Sequence, residues 1–255
     1  MTLPAPVAAL AAELAGLPGV VAVALGGSRA AGTHRPDSDW DLGVYYRGSE
    51  RPLDPADVRR LGHEGHVSEL GEWGPIVHGG GWLTVGGVAV DVLFRDLDKV
   101  GRWLEDAREG RFDILLQNGH LAGAPTYLPV GELALGVPIA GDLPRPEFPP
   151  PLAETAPPRW RGRTAVALLF AQGHAAAGDP VACAGMLANA VLCTAHARLA
   201  ARREWALNEK RLVGRAGLDP VQPLLARAGA EPAELAVTVA AVADALDADA
   251  LVIRA

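Results

Sequence analysis

Residues 20–46 read VVAVALGGSRAAGTHRPDSDWDLGVYY. Residues 20–25 are an unbroken apolar run, the pattern of a short strand buried on both faces. Gly26-Gly27-Ser28 breaks that run and starts a turn, with a short helix expected around residues 29–32. Residues 39–46 form the next strand. Asp39 and Asp41 stand two apart on it, so the period of two puts both carboxylates on one face. Trp40 and Leu42 point the other way, towards a core.

A third carboxylate, Asp91, follows fifty residues after Asp41 in the apolar run VAVDVLF, residues 88–94. A buried, unpaired carboxylate in such a strand is expensive, and Asp39 and Asp41 repel each other unless something neutralises them. A shared divalent cation removes both difficulties, and Mg²⁺ takes oxygen ligands while keeping waters and substrate phosphates. Gly26 and Gly27 permit a sharp turn with close backbone approach. Ser28 adds a hydroxyl, and backbone N–H groups at a helix start cradle phosphate oxygens. Neither GxxxxGK[ST] nor GxGxxG is present. The set is the chemistry of two-metal nucleotidyl transfer.

Each feature has a plainer reading. RPDSDWD can be a solvated acidic turn with Asp37 as turn former, GGS an ordinary strand-to-helix turn, and Asp91 a residue on a wet face. Arg29 can approach a phosphate or pair with a surface acid. Arg95 and Asp98 read as braces of the following helix. Glu69, Glu72, Trp73 and His78 lie in a loop-rich stretch, where a base-stacking Trp or a substrate-binding Glu competes with a buried Trp and solvated acids. The seven histidines show no HxH, HD or HExxH pattern, and His63 and His66 read as a helix surface rather than a zinc site.

The chain has 255 residues, enough for one large or two modest domains, and 49% hydrophobic residues supply a core. A net charge of −7 disfavours nonspecific nucleic-acid binding, although a local basic patch can still serve an RNA end. Cys183 and Cys193, the only cysteines, read as buried free thiols in a reducing compartment. The N-terminal MTLPAPVAALAAELAGLPG has no basic n-region, and Glu13 interrupts its apolar run, so it is a poor signal peptide. No transmembrane span is expected, and the cytoplasm is the default location.

Further along, residues 5–16 read as a helix burying Val7, Leu10, Ala11 and Leu14. Residues 54–65 read as a helix capped by Asp54. Residues 82–85 and 88–94 read as a hairpin around Gly86-Gly87, residues 96–109 as a helix capped by Asp96, and residues 111–118 as further helix. Pro138, Pro144, Pro146, Pro149, Pro150, Pro151, Pro157 and Pro158 exclude a regular helix over 136–158. Helices are then expected at 163–177, 181–205, 207–215, 221–228 and 232–247. The fold class is α+β: a small mixed-sheet domain over 1–135, a proline-rich linker over 136–160, and a separate all-helical domain over 161–255.

Gly27-Ser28, Asp39-Trp40-Asp41 and Asp91 in VDVLFRD together resemble the DNA polymerase beta-type nucleotidyltransferase superfamily, over roughly residues 20–98. The resemblance implies a small mixed sheet flanked by helices and places Gly27 and Ser28 near the triphosphate. It also implies that Asp39 and Asp41 ligate two Mg²⁺ ions and that Asp91 ligates the catalytic one. The architecture resembles bacterial nucleotidyltransferases with a helical C-terminal domain, including aminoglycoside adenylyltransferases. There REWALNEKRLV, residues 203–213, looks like an element of the helical domain. In that reading Lys210 reaches the triphosphate and Glu209 contacts or activates the acceptor; otherwise both belong to a solvated helix turn.

The implied reaction moves an NMP from an NTP, with ATP the default donor, to a hydroxyl acceptor and releases pyrophosphate. Asp91 or Glu209 takes the acceptor proton. A small-molecule acceptor is preferred, because a second domain can close a pocket over a compact compound. Protein or RNA nucleotidylylation and a catalytically inactive nucleotide-binding module are the alternatives.

Overall fold

The computed structural model describes residues 2–247. They divide into two compact units, the first made of residues 2–107, 112–118 and 124–147, the second of residues 108–111, 119–123 and 148–247.

In chain order the first part comprises α1 (Ala5–Ala15), β1 (Val20–Leu25), α2 (Gly27–Ala30), β2 (Trp40–Tyr46), α3 (Pro55–Arg60), β3 (Glu64–Val67), β4 (Gly80–Val85) and β5 (Val88–Asp96). There follow α4 (Leu97–Arg108), the strands β6 (Ile114–Gln117) and β7 (His120–Pro125), α5 (Leu128–Leu135) and β8 (Val137–Ala140); of these, residues 108 and 120–123 belong to the second unit. Six strands form one mixed sheet in the order β3-β4-β5-β2-β1-β8. Strands β2 and β5 at its centre run parallel, and every other neighbouring pair is antiparallel.

The sheet's two faces differ in chemistry. Val23, Leu25, Leu42, Val44, Val90, Val92 and Phe94 form one core with Val7, Leu10, Ala11 and Leu14 of α1, the four residues that helical spacing selects. The opposite face carries Asp41, Asp91 and Arg95, one residue out of phase. Arg95 is 3% exposed, and its guanidinium forms a two-pronged pair with Glu132 of α5, at 2.5 Å from Nε to Oε2 and 2.9 Å from Nη2 to Oε1. Bidentate geometry of this kind compensates a buried charge. Asp96 accepts from the Asp98 N–H at 2.9 Å, as a cap of α4, and Asp98 accepts from Ser49 and Arg47.

Several expectations are corrected here. Residues 54–65 divide into α3 and an edge strand β3, so His66 lies on a strand, while His63 pairs with Glu13 at 2.6 Å. Residues 111–118 are not helical: they hold β6. Residues 136–160 are not a linker, because β8 joins the sheet edge and a long helix begins at Pro150.

The second part comprises that helix, α6 (Pro150–Ala176), then α7 (Pro180–Ala201), α8 (Leu212–Arg215), a 3-10 turn (Asp219–Val221), α9 (Gln222–Leu225) and α10 (Pro232–Ala245). Helix α6 runs through Pro157 and Pro158. Each ring removes a bond to the carbonyl four residues earlier. Those carbonyls belong to Ala153, which is partly exposed, and Glu154, which is exposed. Burial of Leu152, Ala156 and Trp160 at spacing four holds the turn together. The helix expected over 207–215 shrinks to α8, because Arg211 adopts a left-handed conformation, φ +58°.

Helix α7 is long and apolar enough to cross a membrane by length and composition only, and 56% of that window is buried. Cys183, Leu187, Ala190, Ala195 and Leu199 place it in the core of the second unit. Cys183 and Cys193 are free and buried, and burial pushes the Cys193 thiol up to about 11. His196 stacks on Trp160 with ring centroids 4.3 Å apart, and neither of its ring nitrogens has a hydrogen-bond partner among the described residues. Burial, then the nearby His120 and Arg215, lower its pKa to about 3.

Two outcomes follow. Replacing Glu132 with Ala leaves the Arg95 charge buried and alone, and should cost about 3–5 kcal/mol in urea unfolding. His196 is neutral when folded and protonates near 6.5 when unfolded, so its contribution is complete above pH 6.5 and declines as pH falls towards 3. Between those values the slope is about 1.4 kcal/mol per pH unit. His196→Phe should flatten that acid limb, and an unchanged slope would show that His196 is not its source.

Candidate active site

The central parallel pair brings the carboxylates together. Asp41 of β2 lies directly opposite Asp91 of β5, in a register unbroken from Trp40↔Val90 to Tyr46↔Asp96. Partners across such a ladder stand about 4.8 Å apart and project to the same face. Both side chains are half-buried. Asp39 is exposed, one residue before β2, and approaches the same face through the period of two. Among the described residues no group of three or more His, Cys, Asp or Glu closes into a ligand cluster. The backbone thus sets Asp41 and Asp91 side by side, with Asp39 on their flank.

The glycine turn is built against the first of these acids. Gly26 N–H donates to the Asp41 carbonyl at 2.8 Å. Gly27 has φ +59°, and a Cβ added there would overlap the Asp41 carboxylate. Only glycine satisfies both demands, the left-handed backbone and the missing volume. Ser28 follows in α2, half-buried, with its carbonyl accepting from Thr33 N–H at 2.9 Å.

Arg29 has a different place from either expected one. Its Nη2 donates to the Ser38 carbonyl at 2.5 Å and its Nε to the Asp39 carbonyl at 3.1 Å. Its guanidinium lies 4.0 Å from the centre of the Trp40 ring. Arg29 therefore clamps the backbone that leads into Asp39 and Asp41, using cation–π contact with the buried Trp40 as its base.

Glu209 and Lys210 belong to the second unit. The two Glu209 oxygens accept from Leu121 N–H and Ala122 N–H, each at 2.8 Å, so this carboxylate braces the turn of residues 119–123. Lys210 is exposed in a turn where Asn208 accepts from its backbone N–H at 2.9 Å.

Sequence reasoning missed the residues that continue the carboxylate row. Trp82 of β4 is the partner of Asp91 on its other side, and His66 of β3 is the partner of Trp82. The row on this face therefore runs Gly26, Asp41, Asp91, Trp82, His66. The hairpin could have revealed Trp82: a two-residue Gly86-Gly87 turn pairs Val85 with Val88, and counting back pairs Trp82 with Asp91. His66 could not be found that way, because β3 was read as helix. Of the loop residues, Glu69 pairs with Arg59 at 2.5 Å and Glu72 accepts from Glu69 N–H at 2.7 Å. Trp73 stacks on Trp82 with centroids 4.6 Å apart. Burial lowers the pKa of His78, with Lys99 adding to the effect.

Residues 8–110 match the family model described as a nucleotidyltransferase domain. None of the curated proteins matches. A crystal structure described as a nucleotidyltransferase-like protein from Exiguobacterium sibiricum 255-15 is similar at 11% identity and a TM-score of 0.46, covering 96% of this chain and 75% of that one. That similarity is too distant to assign any residue a role. The matched segment contains the glycine turn and all three strand-associated acids, and it is followed by helices. Residues 8–110 are accordingly similar to a nucleotidyltransferase domain, and a mixed-sheet region precedes an all-helical C-terminal region in the chain.

Proposed function

We propose that the protein transfers an NMP, AMP from ATP by default, to a hydroxyl of a small-molecule acceptor. The observation that carries this reading is the in-register pair Asp41–Asp91 with Gly27 seated against the Asp41 carboxylate. Like charges directly opposite one another destabilise a sheet. A fold that accepts this cost gains a site for hard cations.

The residues fit Mg²⁺: Asp39, Asp41 and Asp91 offer only carboxylate oxygens, the donors this ion prefers. When bound, Mg²⁺ supplies charge neutralisation at the phosphates and a lowered pKa for a bound hydroxyl. The chain's own groups do the rest. The Gly27-Ser28 turn approaches the triphosphate, with the Ser28 hydroxyl as hydrogen-bond donor. Arg29 keeps Asp39 and Asp41 oriented through the Ser38 and Asp39 carbonyls. Asp91 takes the acceptor proton. The acceptor oxygen bonds to the α-phosphorus in line, and the bond from that phosphorus to pyrophosphate breaks, its electron pair leaving with pyrophosphate. We assign the proton to Asp91 rather than Glu209 because both Glu209 oxygens are already engaged in bracing the backbone of Leu121 and Ala122.

The test is incubation with Mg²⁺ and each α-³²P-labelled NTP against pooled metabolites, total RNA and cell protein. Label should move to the metabolite fraction; label in protein or RNA would redirect the acceptor class. Asp41→Asn and Asp91→Asn should each reduce transfer by at least about 100-fold, since even outer-shell partners of a metal are worth 10–100-fold. Added Mg²⁺ and nucleotide should raise the parent's Tm and leave theirs unchanged. Full transfer by Asp41→Asn would end the proposal.

A further inference from the structure

Trp82 is 56% exposed, whereas Trp40, Trp160 and Trp205 are each at most 8% exposed. It is nevertheless rigidly held. Trp73 stacks against it at an interplanar angle of 20°, and His66 lies 6.0 Å away on the edge strand. Trp73 in turn packs over Gly80, where a Cβ would stand 2.9 Å from its ring. Buried Gln117 pins the Trp73 loop, donating to the Trp73 carbonyl at 2.6 Å and accepting from Ile76 N–H at 3.2 Å and Val77 N–H at 3.0 Å. An exposed indole is usually mobile surface; this one is a fixed platform.

Its place in the register gives it direction. Along β4 the Trp73 side of Trp82 leads to Gly80, opposite Leu93, and the other side leads to Thr84, opposite Ala89. Thr84 and Ala89 are small and exposed, so that flank is open. Trp40 pairs with Val90, so Asp39, one residue earlier, approaches the level of Ala89. The indole therefore neighbours Asp91 directly, and its open flank runs towards the end of the row where Asp39 enters β2. The glycine turn that we assign to the triphosphate lies on the far side of Asp41.

We propose that Trp82, backed by Trp73, is the acceptor subsite, and that it takes a hydroxyl compound built on a ring with an apolar face. The proposal rests on the nucleotidyl-transfer reading above. Its geometry is restrictive. Trp82 and Asp91 are partners across one strand spacing, about 4.8 Å between backbones, which favours a reacting hydroxyl on the stacked ring or one carbon from it. Aromatic rings and saturated rings with an axial C–H face share this chemistry; an open-chain polyol does not. The donor base is kept off this platform, because the triphosphate enters from the other end of the row.

The test uses the full chain labelled with 5-fluorotryptophan. Its six tryptophans give six ¹⁹F resonances, with Trp73→Phe and Trp82→Phe assigning two of them. Binding of α,β-methylene-ATP with Mg²⁺ is followed in parallel by calorimetry. The nucleotide alone should leave the Trp82 resonance in place. Added 4-hydroxybenzyl alcohol or myo-inositol should then shift it, the first marking an aromatic and the second a saturated ring, while sorbitol should not. Trp82→Ala should weaken the active ring probe by about 5- to 150-fold, the range that one stacked ring supports. A Trp82 shift with nucleotide alone overturns the proposal by placing the donor base there. So does nucleotide binding with no response to either ring, or an equal response to sorbitol. Failure of the nucleotide to bind at all overturns the nucleotidyl-transfer reading itself, and the acceptor role with it.

Discussion

Everything at the candidate site depends on one pairing, the parallel ladder between β2 and β5. A parallel pair at the centre of an otherwise antiparallel sheet needs a crossover. Here the chain between them runs through α3, β3 and β4 before β5 returns beside β2. The register that results is unforgiving. A slip of one residue would turn Asp91 towards α1 and expose Val90 or Val92, both fully buried. Burial on one face thus enforces the juxtaposition of charges on the other, and hydrophobic packing meets the electrostatic cost of Asp41 beside Asp91.

Local devices then refine what the ladder positions. The Gly26 hydrogen bond and the absent Gly27 side chain let the turn after β1 close onto Asp41. Arg29 holds the approach to β2 from beneath, with Trp40 as its support. Arg95 and Glu132 fasten α5 to the same face. Trp73, Gly80 and Gln117 fix the indole of Trp82. None of these groups is itself a reacting group in the proposed chemistry. The glycine turn and Arg29 restrict the approach to the carboxylates, and Trp73, Gly80 and Gln117 restrict Trp82, which is how preorganised sites are made.

The sheet strands were legible because their patterning is strong. Residues 20–25 and 39–46 carry long apolar runs, and Gly86-Gly87 announces a tight hairpin. The α1 face was legible because Val7, Leu10, Ala11 and Leu14 repeat at helical spacing. Strand β3 was not, since only one residue of Glu64–Val67 is even partly buried, leaving no alternation to read. The prolines of 136–158 misled for a different reason. Propensity is a local cost, and Leu152, Ala156 and Trp160 recover it through burial that no local window reports.

The amino-acid sequence by itself determined which chemical groups are available and their spacing: a glycine turn with a serine, two acids at period two, and a third in an apolar strand. Spacing along a strand is a backbone property, so it survives without tertiary knowledge. Which strand lies beside which is not, because pairing is settled by the burial of whole faces. Tertiary structure alone therefore decided that Asp41 faces Asp91, that Arg29 clamps carbonyls, that Glu209 braces a turn, and that His66 ends the row.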